Sequence, residues 1–406
     1  MAPPRFLAER QIHWNDEKVE VFKESRPKRA RRQAVTVVHA IRAGRARARS
    51  SPVTEPEVDG AALRSCLAEA GADARLIDVP MNRPPWRPSG VRVSAGDQVT
   101  WLAWGVAHLL KPLGAFVPVE AVLAVRVPGG VAQRSARPTY TFTADRDGVV
   151  ELGPLFPAGG EVQPDGAVRT DRFPYRAQTG RLLAVVARWP PGVDPATALA
   201  AVADRDASGL CAAEAKRLAD PPAAPPGWRF HPLLSPAEIF SASGAGIITD
   251  CRQNGGIVQR PAETALSPTV RLRWSWRVDE LPSSLPEDTL ITHDYVSVAL
   301  EFDDGRDLTW QWSCSLPVGF TYPCPLDHWR RRETHIVVRS GRADLGRWVK
   351  EDRPVLTDHR AAIGEPQPAR IIRAWLITVS AFQRSVARAE FGRMELTDGD
   401  SVIPIL

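Results

Sequence analysis

Asp279, His293, Asp294 and Glu301 stand close together along one stretch of the chain, and their types are those of acid–base chemistry. A pair of carboxylates serves as acid and base when its surroundings push the two pKa values apart, as cleavage of a glycosidic bond requires. Carboxylates at strand ends are more ordinarily turn formers and ion-pair partners. His293, Asp294 and Glu301 are therefore catalytic candidates only, and whether the chain is an enzyme stays open. His293 and Asp294 could also offer metal ligands, yet no second histidine lies within a few residues. His328 and His335 are the next nearest, and a site assembled from them by folding would be invisible in one sequence. No metal and no cofactor is assigned.

A second group is suited to binding. Arg273, Ser275 and Arg277 share one side of the segment RLRWSWRVD, Tyr295, Ser297 and Glu301 one side of DYVSVALEF, and Gln311 lies in DLTWQWSC, with His335 and Arg339 beyond. Guanidinium forks, hydroxyls and amides on one curved sheet would hold a polar or anionic ligand by bidentate hydrogen bonds. The ligand-binding candidates are Arg273, Arg277, Tyr295, Glu301, Gln311 and Arg339. A solvated outer sheet would read the same way, except that arginines in a half-buried sheet need carboxylate partners or a ligand to offset desolvation.

Five cysteines, Cys66, Cys211, Cys251, Cys314 and Cys324, are an odd number without a paired metal spacing, and reduced thiols account for them most simply. Cys314 and Cys324 bracket the prolyl loop SLPVGFTYP and could bridge in an oxidising compartment. The default for Cys314 is a small buried hydrophobe. No phosphate-cradling loop is present, and GAGII at 244–248 lacks the strand-then-helix setting of a dinucleotide site.

The elements that must position these groups are strands. Successive side chains of a strand point to opposite faces, so Leu272, Trp274, Trp276 and Val278 line one side while Arg271, Arg273, Ser275 and Arg277 line the other. The same parity groups Leu308, Trp310, Trp312 and Cys314 against Thr309, Gln311 and Ser313. The four tryptophans could be a platform on which sugar rings stack. Two on one face of each of two neighbouring strands, beside Leu and Val, are more often sandwich interior, which makes the opposite face the candidate surface.

Composition agrees with a turn-rich β protein: 37 prolines exceed 29 glycines, and 13 tryptophans outnumber 4 tyrosines. The net charge of +5 is uneven, because residues 1–50 hold 13 Lys and Arg against 5 Asp and Glu, which leaves 39 basic against 42 acidic residues elsewhere. The basic excess belongs to an N-terminal arm with few interleaved aromatics, so nucleic-acid binding is disfavoured, and an assembly role for the arm is one alternative. No apolar run approaches a membrane span and no secretory signal pattern opens the chain, an expectation of a cytoplasmic protein without a membrane partner.

Along the chain, residues 1–77 read as the basic arm, with one helix at Asp59–Gly71 capped by Asp59 and stopped by Gly71. Residues 78–192 read as a small antiparallel sandwich, in which QVTWLAWG sets Val99, Trp101 and Ala103 against Thr100, Leu102 and Trp104. Residues 193–226, alanine-rich and then polyprolyl, read as a helix and linker. Residues 227–406 hold eight candidate strands, a helix near Pro354–Ile363 and an Asp303-Asp304-Gly305 hairpin turn, the count of a jelly roll.

From Val270 onward the segments LRWSWRVDELP, HDYVSVALEFD, LTWQWSCSLPVG, IVVRSG, LGRWVKEDRPVLTDHRAAIG and AWLITVSAF resemble, in order, an uncharacterised bacterial family known only as a domain of unknown function. The resemblance implies a concanavalin-like sandwich and no established activity. The chain departs from that family after AWLITVS, where AFQRSVARAEFG replaces an acidic, asparagine-rich turn. PPWRPSGVRVSAGDQVTWLAWG, PTYTFTADRDGVVELG and TGRLLAVVARW resemble the bacterial galactose-lectin-like sandwich. Its calcium ligands find no counterpart in FPYRAQT, so calcium-dependent sugar binding is not carried over.

The expectation is a mainly β chain of two jelly-roll-like sandwiches joined by a helix and Pro-rich linker, behind a basic arm. Its expected role is non-catalytic binding of a polar ligand, carbohydrate first, on the concave sheet of the C-terminal sandwich. The alternative is an enzyme acting on a sugar or similar polar small molecule.

Overall fold

The computed structural model describes residues 57–83, 86–110, 115–130, 132–133, 137–154, 178–231, 239–326, 329–330 and 332–406, with 35, 38 and 42 in helical geometry. The rest of the basic arm, His328 and most of FPYRAQT lie outside the described residues. The protein is mainly β. Its contacts separate two compact units, one spanning Gly44–Pro222 and the other carried by Ala223–Leu406. Among the described residues no helix is long and apolar enough to cross a membrane.

In Gly44–Pro222 the chain runs through α1 (Gly60–Glu69), β1 (Asp73–Pro80), β2 (Arg87–Val93), β3 (Gln98–Leu110), β4 (Ala115–Pro118), α2 (Val119–Val122), β5 (Leu123–Arg126), β6 (Thr139–Thr143), β7 (Gly148–Pro154), β8 (Thr179–Arg188), α3 (Pro195–Val202) and α4 (Leu210–Ala219). One sheet is ordered β1-β8-β3-β4 with β6 on β3, and the other β2-β7-β5. Parity along β3 serves two cores. Val99, Trp101 and Ala103 pack with Val91, Val150 and Leu152 between the sheets. Leu102 and Trp104 pack on the far face under Leu63 and Leu67 of α1, Leu199 of α3 and Cys211 of α4.

Two stretches differ here from their sequence reading. Residues 57–77 are no arm: Asp59 caps α1 by accepting from the N–H groups of Ala61 and Ala62, each at 3.0 Å, and β1 pairs with β8 along its length. The α1 stripe of Leu63, Cys66 and Leu67 is apolar because it covers a sheet. Residues 194–219 form two helices rather than one connector. They part at Asp206, whose carboxylate accepts from the Cys211 N–H at 2.7 Å, and their apolar faces complete the same core.

In Ala223–Leu406 the strands are β9 (Arg229–Phe230), β10 (Phe240–Ala242), β11 (Ile247–Arg252), β12 (Gly255–Ala265), β13 (Arg271–Glu280), β14 (Tyr295–Phe302), β15 (Asp307–Ser313), β16 (Thr321–Pro323), β17 (Glu333–Ser340), β18 (Val349–Pro354), β19 (Arg370–Val379), β20 (Val386–Asp398) and β21 (Ser401–Pro404), with α5 at Val355–Ala362. One sheet is ordered β10-β11-β20-β13-β18, with β21 on β20; the other is β16-β17-β15-β14-β19-β12-β9. The turn at Asp303-Asp304-Gly305 joins β14 to β15, with Gly305 at φ 80°.

The tryptophans face one another across the sandwich. Trp274 and Trp276 of β13 meet Trp310 and Trp312 of β15 at 6.1 and 5.6 Å between ring centres, and all four are buried. Indole N–H groups of Trp276, Trp310 and Trp312 donate to Glu351, Asp358 and the Gly341 carbonyl, so three of the four amphipathic rings are buried at little polar cost. Parity therefore reads the interior rightly, whereas the expectation of neighbouring strands in one curved sheet fails. The residues 281–294 between β13 and β14 carry the chain from one sheet to the other.

Candidate functional site

The face of the β14–β15 sheet turned away from these four tryptophans is buried, and it carries polar rows beside an apolar cluster of Tyr295, Ala299, Trp375 and Ile377. Ser297 and Gln311 form one cross-strand row there, Thr309 and His335 another, and Asp307 and Glu333 a third. Residues 281–294 and 314–326 carry side chains that meet this face, His293 and Glu287 from the first, Tyr322 and Cys324 from the second. The expectation of a wet surface at Thr309, Gln311 and Ser313 is overturned, since all three are buried.

At the centre of this layer, one ligand atom from each of His293, Cys324, Glu333 and His335 lies within 4.8 Å of the others, and all four residues are buried. Glu333 and His335 sit two residues apart on β17 and so share a face. His293 follows a 3₁₀ turn at Leu290–Thr292, and its Nδ1 lies 2.8 Å from the Glu287 carbonyl. Because a carbonyl only accepts, Nδ1 carries the proton, which leaves the Nε2 lone pair facing Cys324 Sγ at 3.4 Å. Glu333 accepts from the Tyr295 hydroxyl at 3.0 Å and from Thr309 Oγ1 at 3.3 Å. His335 is stacked on Tyr322, with ring centres 4.7 Å apart; its Nε2 stands 3.5 Å from Glu333 Oε1, and its Nδ1 makes no hydrogen bond.

Burial sets the electrostatics. It pushes the His293 imidazole down to about 3, with His335 adding to the effect, and it raises the Cys324 thiol well above its ordinary value, with Glu333 adding. Burial also opposes ionisation of Glu333, but His335, His293 and Cys324 together more than offset it and hold the carboxylate below its usual range. Asp307, next to Glu333 across the strands, is pushed well up by burial and by that same carboxylate. Glu333 is the ionised member and Asp307 the protonated one.

The sequence-predicted residues scatter. Of the catalytic candidates only His293 belongs to the cluster. Asp294 accepts the N–H groups of Phe382 and Gln383, and Glu301 pairs with Arg373 at 2.9 Å, so both hold backbone and strand in place. Tyr295 supports Glu333, and Gln311 accepts from the Tyr322 hydroxyl at 2.7 Å. Arg273 and Arg277 lie on the outer face of the other sheet, across the sandwich from Tyr295, Glu301 and Gln311. Arg339 is displaced by an irregularity between β15 and β17, pairs with Glu351 and Asp344, and lies over Trp312. The expected common surface of Arg273, Arg277, Tyr295, Glu301, Gln311 and Arg339 therefore does not exist.

On the β13 side the arginines have carboxylate partners: Arg271 and Arg273 share Asp352, and Arg277 pairs with Asp279 and Glu390. Beside them stands Trp348, 44% exposed, with the Arg277 guanidinium 5.6 Å from its ring centre. The ring covers Gly392, where an added Cβ would come within 2.9 Å of the indole and 2.5 Å of Ser275 Oγ. The sequence reading missed Cys324, Glu333 and Trp348. The Glu333/His335 spacing was a signal for two of the four cluster groups, while Cys324 and His293 reach the cluster only through the fold.

Part of the chain is similar to a known family. Residues 244–395 match the family described as "Protein of unknown function (DUF3047)", which extends the C-terminal resemblance upstream to include β11 and β12. No curated protein matches the chain. Among solved structures, an "EclA N-terminal domain; PllA-like lectin" is 19% identical, with 28% of this chain and 95% of that one covered and a TM-score of 0.22. A putative uncharacterised protein from Burkholderia cenocepacia is 12% identical, with 90% and 96% covered and a TM-score of 0.14. Likenesses of that extent leave the description of the fold to the chain's own sheets.

Proposed function

We propose that the Ala223–Leu406 unit is a non-catalytic binding module for a polar ligand, carbohydrate being the class, and that it binds on the outer face of the β13–β18–β20 sheet. The observation that carries this reading is Trp348. A half-exposed indole beside Arg277, Ser275 and Glu390 offers an apolar ring for the C–H face of a sugar, with charged and hydroxyl groups around it for its oxygens. The paired carboxylates temper the cationic character and favour a neutral polyol over an anion. Asp294 and Glu301, bound to backbone and to arginine, weigh against the alternative of acid–base catalysis by His293, Asp294 and Glu301. The five cysteines are free, which supports a reducing, cytoplasmic setting.

The test is calorimetry and a glycan array on the full chain and on Trp348→Ala. Binding to a saccharide that weakens about tenfold or more in the variant, equivalent to about 1.4 kcal/mol, supports the reading. No saccharide binding, or equal binding by both proteins, removes it.

A further inference from the structure

The buried cluster brings together the donor types of a metal centre. Four donors of three chemical kinds converge from three separate segments. Two contacts within it, His293 Nε2 to Cys324 Sγ at 3.4 Å and His335 Nε2 to Glu333 Oε1 at 3.5 Å, already have the spacing that ligands take around one tetrahedral ion, about 3.3–3.8 Å for bonds of about 2.0–2.3 Å.

A hydrogen-bonded polar knot would explain Glu333, which has two hydroxyl donors. It accounts less well for His335, a fully buried imidazole aimed into the cluster whose Nε2 stands 3.5 Å from Glu333 Oε1 and whose Nδ1 makes no hydrogen bond, where buried polar groups are almost always paired. The surroundings are those that orient ligands: the Glu287 carbonyl fixes the His293 tautomer with Nε2 free, Tyr295 and Thr309 hold the Glu333 carboxylate, and Tyr322 stacks on His335.

We propose that His293, Cys324, Glu333 and His335 bind one zinc-class divalent cation in a closed, structural site. Thiolate, carboxylate and two neutral imidazoles carry two negative charges, which a divalent ion cancels inside a dry layer. Zinc accepts all three donor types with four ligands, the closed arrangement of structural sites. On binding, the Cys324 S–H bond breaks, a sulfur–metal bond forms and one proton passes to solvent. The ion would tie the connection preceding β14 and the loop preceding β17 to the sheet they cover. The inference is independent of ligand binding at Trp348.

The experiment uses the untagged full chain. Elemental analysis of the purified protein is expected to find about one zinc per chain, and chelation is expected to lower the melting temperature. After unfolding and refolding with cobalt(II), a sulfur-to-cobalt charge-transfer band is expected, which Cys324→Ser abolishes and Cys251→Ser, at a buried thiol elsewhere, preserves. Tyr295→Phe, which removes a donor to Glu333 and no ligand, is expected to weaken metal affinity by about 10–100-fold. Protein that takes up neither metal on refolding, or a cobalt–sulfur band that survives in Cys324→Ser, overturns the proposal. Should Cys324→Ser fail to fold, the wild-type stoichiometry and the Tyr295→Phe titration decide it.

Discussion

The two outer faces of the C-terminal sandwich have the same sequence grammar and opposite fates. On β13 the residues alternating with tryptophan are arginine and serine, and they face solvent in ion pairs, with Arg277 beside Trp348. On β15 the residues alternating with tryptophan are threonine and glutamine, and they lie buried beneath two long connections together with Glu333 and His335. Charge tolerates the first setting because water and partnered carboxylates keep the local dielectric high. In the second every polar group must find a partner or an ion, so a polar residue there costs more and does more.

The contrast breaks most directly at Glu333. Glu333→Ala strips an acceptor from Tyr295 and Thr309 and removes the carboxylate beside His335 in a dry layer. It is expected to cost about 3 kcal/mol or more, the range for removing one partner of a buried pair, measured by urea unfolding of the full chain. A loss under about 1 kcal/mol, the size of a surface pair, would mean that water reaches the layer and that the two faces do not differ in kind.

His359 on α5 sharpens the point at the end of the sandwich, where it packs edge-on against Phe302 with neither ring nitrogen hydrogen-bonded. Burial, and then the Arg306 charge, push its imidazole from 6.5 down to about 4. Between those values the unfolded chain binds a proton that the folded chain refuses, so this group's contribution is intact above pH 6.5 and is lost as pH falls toward 4. The loss is on the order of 3 kcal/mol across that interval at 1.36 kcal/mol per pH unit. Stability curves of His359→Leu are expected to be flatter than wild type across this window. Parallel curves would show that His359 is hydrated and not part of the dry interior.

Pleat parity made much of this legible. The inward set Leu272, Trp274, Trp276 and Val278, the division of β3 between Val99, Trp101, Ala103 and Leu102, Trp104, and the Asp303-Asp304-Gly305 turn all follow from local rules. What local rules do not carry is coverage. Whether Gln311 meets water depends on residues 314–326, and whether Arg273 and Tyr295 share a sheet depends on where residues 281–294 cross over. The helices at 195–219 make the same point: alanine spacing marks an apolar face, and only the sheet of β1, β8 and β3 says what it is for. The cluster of His293, Cys324, Glu333 and His335 spans three segments, so its one local trace is the two-residue step on β17.

The smallest expected effect tests the open face. Asp352 serves two arginines, Arg271 at 2.6 Å and Arg273 at 3.2 Å, yet it is 46% exposed and both partners retain water. Asp352→Ala is therefore expected to cost less than about 1 kcal/mol. In wild type even that pairing fades at about 1 M salt, where screening acts over about 3 Å. A loss approaching that of Glu333→Ala would require the guanidinium groups to be shielded from solvent in the working protein. The outer face of β13 would then be a covered surface too, and its ion-pair lattice would be the buried part of an interface rather than a solvated rim around Trp348.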